Sequence, residues 1–281
     1  MDSQLPSAPV GFDKVLSSHG YGFQYAILDK ARALYESRAS RWVFEVAEFP
    51  VAAIPASTRL DFMLRHRDNQ ARLIAECKRA NPALAHWCFA KAPYRVRNTG
   101  HAEPLVLERC RPFQGEVRAE AQTIRYETNV FHLGFELRAP TKGDAAHSGR
   151  GAIEDALTQV LRGMNGFTGF LAARPALVPE ESAICLLPVI FTTASLWTTD
   201  APLEHTDLAT GTVPATAGEL TPSQWLFYQY HQSPDLAHSV PGNRVDVDLS
   251  RILEVDLTRT VAIVSPSGIE HFLWWSSEGL W

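Results

Sequence analysis

The chain has 281 residues, of which 46% are apolar, 20% charged and 10% aromatic, and its formal net charge is −5. This composition excludes a disordered or low-complexity chain and a uniformly basic nucleic-acid coat, and the length is enough to bury a substantial core. The longest uncharged apolar stretch, Ala183–Trp197, is interrupted by Pro188 and is shorter than the roughly 20 residues that span a bilayer, so no membrane partner is expected.

The first helix is predicted from about Gly20 to Arg38, because Phe23, Ile27, Ala31 and Leu34 recur on one stripe. Arg41–Ile54, rich in Val, Phe and Trp, reads as a strand. Strands follow over about Thr58–Arg67 and Gln70–Arg79, joined by a tight turn at Asp68-Asn69. Asn81-Pro82 predicts a capped helix running through ALAHWCFAKA. Strands are expected at 104–110 and Tyr126–Leu137, a loop at Pro140–Arg150, and a second helix from Ala152 to about Ala172. That helix carries Ile153, Leu157, Val160, Leu161 and Met164 on one face, and Gly163, Gly166 and Gly169 suggest close packing against a neighbour. The apolar run 183–197 reads as a strand covered on both faces. Beyond it the reading is loop, with a helix at Pro222–Gln232, then two strands at Arg259–Ser265 and Ile269–Trp275. The whole is an α/β (α+β) core: one domain over 1–281, with a central mixed sheet flanked by helices and an insertion at about 80–150.

The charge is unevenly spread. Between Arg59 and Arg111 there are eleven Lys/Arg against five Asp/Glu, a net of +6, which leaves −11 for the rest. Such a segment predicts a face that attracts anions. Within it, Arg65, Arg67, Arg72, Arg79, Arg95 and Arg97 are candidates for contacts to backbone phosphates.

The same segment contains the most informative hairpin. With the turn at Asp68-Asn69, facing residues have numbers summing to 137, so Asp61 lies opposite Glu76, and Lys78 shares their face. Two facing carboxylates repel unless a cation lies between them. A hard divalent ion such as Mg²⁺, or Mn²⁺, takes oxygen ligands, here Asp61, Glu76 and the main-chain carbonyl of Cys77. Lys78 would lie beside a metal-bound water and a phosphate whose charge grows in the transition state. Only five lysines stand against 21 arginines, and Glu76-Cys77-Lys78 is the chain's single acid-x-Lys triplet.

Asp61 followed by Glu76-Cys77-Lys78 on a hairpin, after a helix and a strand, resembles the PD-(D/E)xK nuclease superfamily, which has a restriction-endonuclease-like fold. The resemblance implies a core of a helix, three strands, a helix and a further strand. It also implies Asp61 and Glu76 as metal ligands, Lys78 as the catalytic lysine, and a magnesium-dependent nuclease acting on nucleic acid, with DNA favoured. Gly20-Tyr21-Gly22-Phe23-Gln24 is similar to a G-x-x-F-E opening in several members, so Gln24 stands where some carry an acid. Glu36 on the helix, or Glu45 or Glu48 on the first strand, are candidates for a third carboxylate, and Gln159 for an auxiliary polar group. Many such nucleases pair, so a homodimer is a candidate assembly. The alternative is a nuclease-like fold that no longer cleaves and serves as a nucleic-acid- or protein-binding module.

Other chemistries lack their motifs. The four cysteines have no zinc spacing, no Walker sequence or third dinucleotide glycine is present, and no G-x-S-x-G elbow occurs. With no leader-like start and few cysteines, an intracellular setting, cytoplasmic or nuclear, is expected.

Overall fold

The computed structural model describes residues 11, 20–53, 57–93, 103–125, 130–137, 148–149, 151–213, 219–233 and 257–280. Helix α1 (Tyr21–Glu36) leads into β1 (Trp42–Val51), β2 (Thr58–His66) and β3 (Ala71–Lys78). The segment before the second helix supplies β4 (His86–Ala90), β5 (Leu105–Phe113), β6 (Glu116–Ile124), β7 (Val130–Phe131), β8 (Leu133–Leu137) and β9 (Ser148–Gly149). Helix α2 (Gly151–Ala172) precedes β10 (Ile184–Thr192) and β11 (Ser195–Thr199). The chain continues through β12 (Thr221–Ser223), β13 (Trp225–His231) and β14 (Thr258–Val264) to α3 (Ile269–Glu278).

These elements form a mixed α/β structure. A nine-stranded sheet has the order β1-β2-β3-β10-β14-β13-β7, with the β5–β6 ribbon joined through β5 to β10. β1, β2 and β3 run antiparallel in turn, and β10 lies parallel to β3. β10 is buried almost throughout because both sheet faces are covered. On one face α1 and α3 bury Ile27, Ala31, Phe272 and Leu273 against Phe62, Leu73 and Phe191. On the other, α2 buries Leu157, Val160 and Met164 against Leu60, Met63, Ile74 and Ile190. A five-stranded sheet, β12-β11-β4-β8-β9, continues beyond the ends of β3 and β10, since β4 and β11 again pair in parallel.

The predicted hairpin register is the observed one: Phe62, Met63, Leu64 and Arg65 face Ala75, Ile74, Leu73 and Arg72. Four expectations are corrected. The helix expected after Asn81-Pro82 is one turn of 3-10 helix, with the Asn81 side chain accepting from the Ala83 amide (2.9 Å), and the chain then enters β4. Trp87, Cys88, Phe89 and Ala90 are all buried, so no amphipathic stripe existed to hold a helix. Pro222–Gln232 forms β12 and β13 rather than a helix, its aromatic residues pairing with β14. Ile269–Trp275 belongs to a helix, not a strand. Its buried positions, Ile269, Phe272, Leu273, Ser276 and Ser277, have helical spacing, but two of them are serines. Ser276 accepts a bond from the Trp42 indole (2.9 Å), which lets polar side chains belong to the buried stripe. The apolar run 183–197 is likewise two strands, broken at Thr193 and Ala194. Strand β6 was not anticipated.

The glycines of α2 set its height above the sheet. A Cβ on Gly166 would stand 2.8 Å from the Ala52 carbonyl oxygen and 2.8 Å from Val51 Cβ. Gly166→Ala should therefore destabilise the protein, by about 1–3 kcal/mol of overpacking less up to about 1 kcal/mol of gained helix propensity. A melting temperature equal to or above wild type would contradict this packing.

Candidate active site

The site lies where the antiparallel strands lose their regular alternation. A β-bulge at Glu45 shifts β1 by one residue against β2, which turns the next β1 side chains, Val46 and Ala47, to the other face. Glu48 then has a left-handed backbone, φ 53°, which is uncommon outside glycine. Ala47 contacts the α1-side core, whereas Phe49 packs on Phe167 and Phe170 of α2. In β2 the same break falls at Asp61: Phe62 belongs to the α1-side core and Leu60 to the α2-side core. Glu48 and Asp61 thus sit between the two apolar layers instead of being consumed by either.

β3 brings the remaining groups. Glu76 is 9% exposed, and the Cys77 amide donates to Asp61 Oδ2 (2.6 Å). The Lys78 ammonium donates to Gln159 Oε1 of α2. From α1, Gln24 is 3% exposed, and its amide donates to Glu48 Oε1 (3.0 Å) and to the Asp61 carbonyl (2.8 Å). Gly20, φ 78°, turns the chain into α1 one turn before Gln24.

The electrostatics show a local shortage of positive charge. Burial, opposed in part by the Cys77 amide, pushes Asp61 up to about 6, with Glu48 raising it further. Burial, then the neighbouring Asp61, pushes Glu76 up to about 8, while Lys78 pulls it down. Burial also raises the Cys77 thiol strongly, and that side chain packs with the α1-side core. Its main-chain carbonyl is therefore the one group Cys77 could offer a metal. Among the described residues, no three His, Cys, Asp or Glu form a ready-made metal-holding group. The donors that do converge are oxygens, and they carry more negative charge than Lys78 offsets. That chemistry fits a hard divalent cation.

Of the predicted residues, the structure brings together Gln24, Asp61, Glu76, Cys77, Lys78 and Gln159. Among the candidates for a third carboxylate it favours Glu48. Glu36 is excluded from the cluster: it is exposed at the far end of α1, near Arg32. Glu45 is paired with Arg72 (2.9 Å). No sequence signal separates Glu48 from Glu45, because the bulge at Glu45 is set by the pairing with β2.

The arginines divide. Arg65 and Arg79 are exposed, as is Arg59, and none of the three has an ion pair with a described residue. Arg72 is half-buried on Glu45, so it is a poor candidate for phosphate contact, and Arg67 lies beside Asp68 at the hairpin tip. Arg95 and Arg97 lie outside the described residues. No helix among the described residues is long and apolar enough to cross a membrane.

No family model, curated protein or solved structure matches this chain.

Proposed function

We propose that this protein is a divalent-metal-dependent nuclease with a restriction-endonuclease-like core, acting on phosphodiester bonds with DNA as the favoured substrate. The observation that carries this reading is the meeting of Asp61, Glu76 and Lys78 across one hairpin, with Glu48 brought in beside them. The order α1, β1, β2, β3, α2, β10, with β10 parallel to β3, supports it, because it is the helix, three strands, helix and strand that the resemblance implies.

Asp61 and Glu76 would hold Mg²⁺ or Mn²⁺, with Glu48 and the Cys77 carbonyl as further oxygen donors. The ion would supply Lewis-acid charge and a more acidic water. The remaining work belongs to the chain. Lys78 places a positive charge where negative charge grows on the phosphate, and Gln159 orients its ammonium. Gln24 is a positioning residue that holds Glu48 against the Asp61 backbone. Arg59, Arg65 and Arg79 are free to meet backbone phosphates, which position a nucleic acid without reading its sequence.

A second reading, a nuclease-like module that binds without cutting, is favoured by one observation: Gln24 occupies the helix position where an acid would serve as ligand. One assay separates the two. Plasmid and oligonucleotide DNA incubated with Mg²⁺ or Mn²⁺ should be cut, and EDTA should stop the cutting. Absence of cleavage with either ion, together with unchanged thermal stability on adding them, would overturn the nuclease reading.

A further inference from the structure

We infer that the outer edge of β6 is a self-pairing surface, on which β6 of a second copy of this chain adds antiparallel and joins the two nine-stranded sheets. The inference stands apart from the nuclease reading and holds whatever the acid cluster does. Among the described residues β6 pairs with β5 alone, which leaves its other edge to offer main-chain N–H and C=O groups. The other long edge is blunted, because β1 carries the bulge at Glu45, the left-handed Glu48 and Pro50. The edge strands β7, β9 and β12 are only two or three residues long. β6 has nine residues and no proline, and its register against β5 is unbroken from Glu116 to Ile124.

The residues of this edge select one register. The turn residues Gln114 and Gly115 have φ 53° and 80°, and the turn closes on the Phe113–Glu116 pair. Glu116, Arg118, Glu120 and Gln122 therefore bond to β5, while Val117, Ala119 and Ala121 direct their main-chain groups outward. A two-fold antiparallel pairing matches outward residues with outward residues. Centred on Ala119, it sets Val117 opposite Ala121 of the second copy and Arg118 opposite Glu120 of the second copy, each twice by symmetry. Centring on Arg118 or on Glu120 would face like charges, and centring on Ala121 would leave Arg118 against Ile124. Arg118 also lacks a carboxylate of its own. It is exposed, lies directly opposite Arg111, stacks 3.6 Å from the centre of the Phe113 ring, and has no ion pair with a described residue. Like charges facing each other across strands are destabilising, and an acid on the open side offsets this. Glu120, 2.8 Å from Arg111, would then lie between two arginines, one from each copy.

Sedimentation equilibrium of the full chain, at up to about 100 µM, should give twice the 31.2 kDa of one chain. Arg118→Glu and Glu120→Arg should each weaken the dimer at least ~10-fold, since each replaces two opposite-charge pairs by two like-charge pairs. Mixed in equal amounts, the two variants should pair again, because both crossings then join opposite charges. Ala121→Pro removes an outward N–H and leaves the bonds to β5 intact, so it should be monomeric with a melting temperature near that of the wild-type monomer. A wild-type chain that stays monomeric over the whole range would overturn the edge pairing. So would a dimer that survives Arg118→Glu, or folded charge variants that stay apart when mixed. Should a charge variant fail to fold, Ala121→Pro decides, and a dimer that survives it would overturn the pairing.

Discussion

Lys78→Ala should lower metal-dependent cleavage by about 10²-fold or more, since among the described residues it removes the one cation facing the acid cluster at the moment when phosphate charge builds. The Lys78 side chain donates to Gln159 at the end of β3 and supports neither apolar layer. The loss should therefore appear in turnover at saturating Mg²⁺, with little change in melting temperature. Glu76→Gln should be at least as damaging, because it keeps the shape and removes one ligand charge. Arg65→Ala is the contrast. Its guanidinium stands exposed toward the hairpin tip, several residues from Asp61, so it should weaken binding mildly and in a salt-dependent way. Initial rates of plasmid nicking, measured across Mg²⁺ concentrations, read all three. Cutting that stays metal-dependent and near wild-type rate in both Lys78→Ala and Glu76→Gln would remove the site from this hairpin.

The second large effect is on stability against pH, in metal-free protein. Asp61 and Glu76 both titrate higher in the folded chain than the ordinary carboxylate near 4, at about 6 and about 8, with burial the leading cause. Between those limits the folded state holds protons that the unfolded state has released. The stabilising contribution is complete below about pH 4 and is lost as pH rises through 6 and 8. Without metal, the melting temperature should fall across that window by several degrees, corresponding to a few kcal/mol at about 2–4 °C per kcal/mol. Glu76→Gln should flatten the fall, because it removes one titrating acid and the repulsion it exerts on Asp61. Mg²⁺ or Mn²⁺ should raise the wild-type melting temperature most at the alkaline end, where the acids are ionised and able to bind. A wild-type profile no steeper than that of Glu76→Gln would contradict the electrostatic picture. The surface trio of Arg41, Asp68 and Glu278 will not mimic it. There the ion pairs hold Asp68 below its usual value, so any contribution fades on acidification instead.

The core of the molecule is legible in the residues because its determinants are local. Stripes at Ile27, Ala31 and Leu34, and at Ile153, Leu157, Val160 and Leu161, mark helices whose ends are observed within a few residues of their expected places. The turn between β2 and β3 specifies the register observed from Arg65 and Arg72 to Phe62 and Ala75, beyond which the Asp61 carboxylate accepts from the Cys77 amide. Misreadings arose where burial on all sides removed the alternation, as at Trp87–Ala90, or where buried serines disguised a helical stripe, as in α3.

The amino-acid order alone predicts an aspartate, a glutamate and a lysine on one side of a hairpin, because side-chain alternation and a tight turn leave few registers. It did not determine the third acid or the company of the lysine. Those depend on the bulge at Glu45, the left-handed Glu48, the buried amide of Gln24 and the height at which α2 rides over β1 and β2. Each is a contact between segments distant in the chain, where packing against a neighbour outweighs local preference, and so only the assembled fold could decide them.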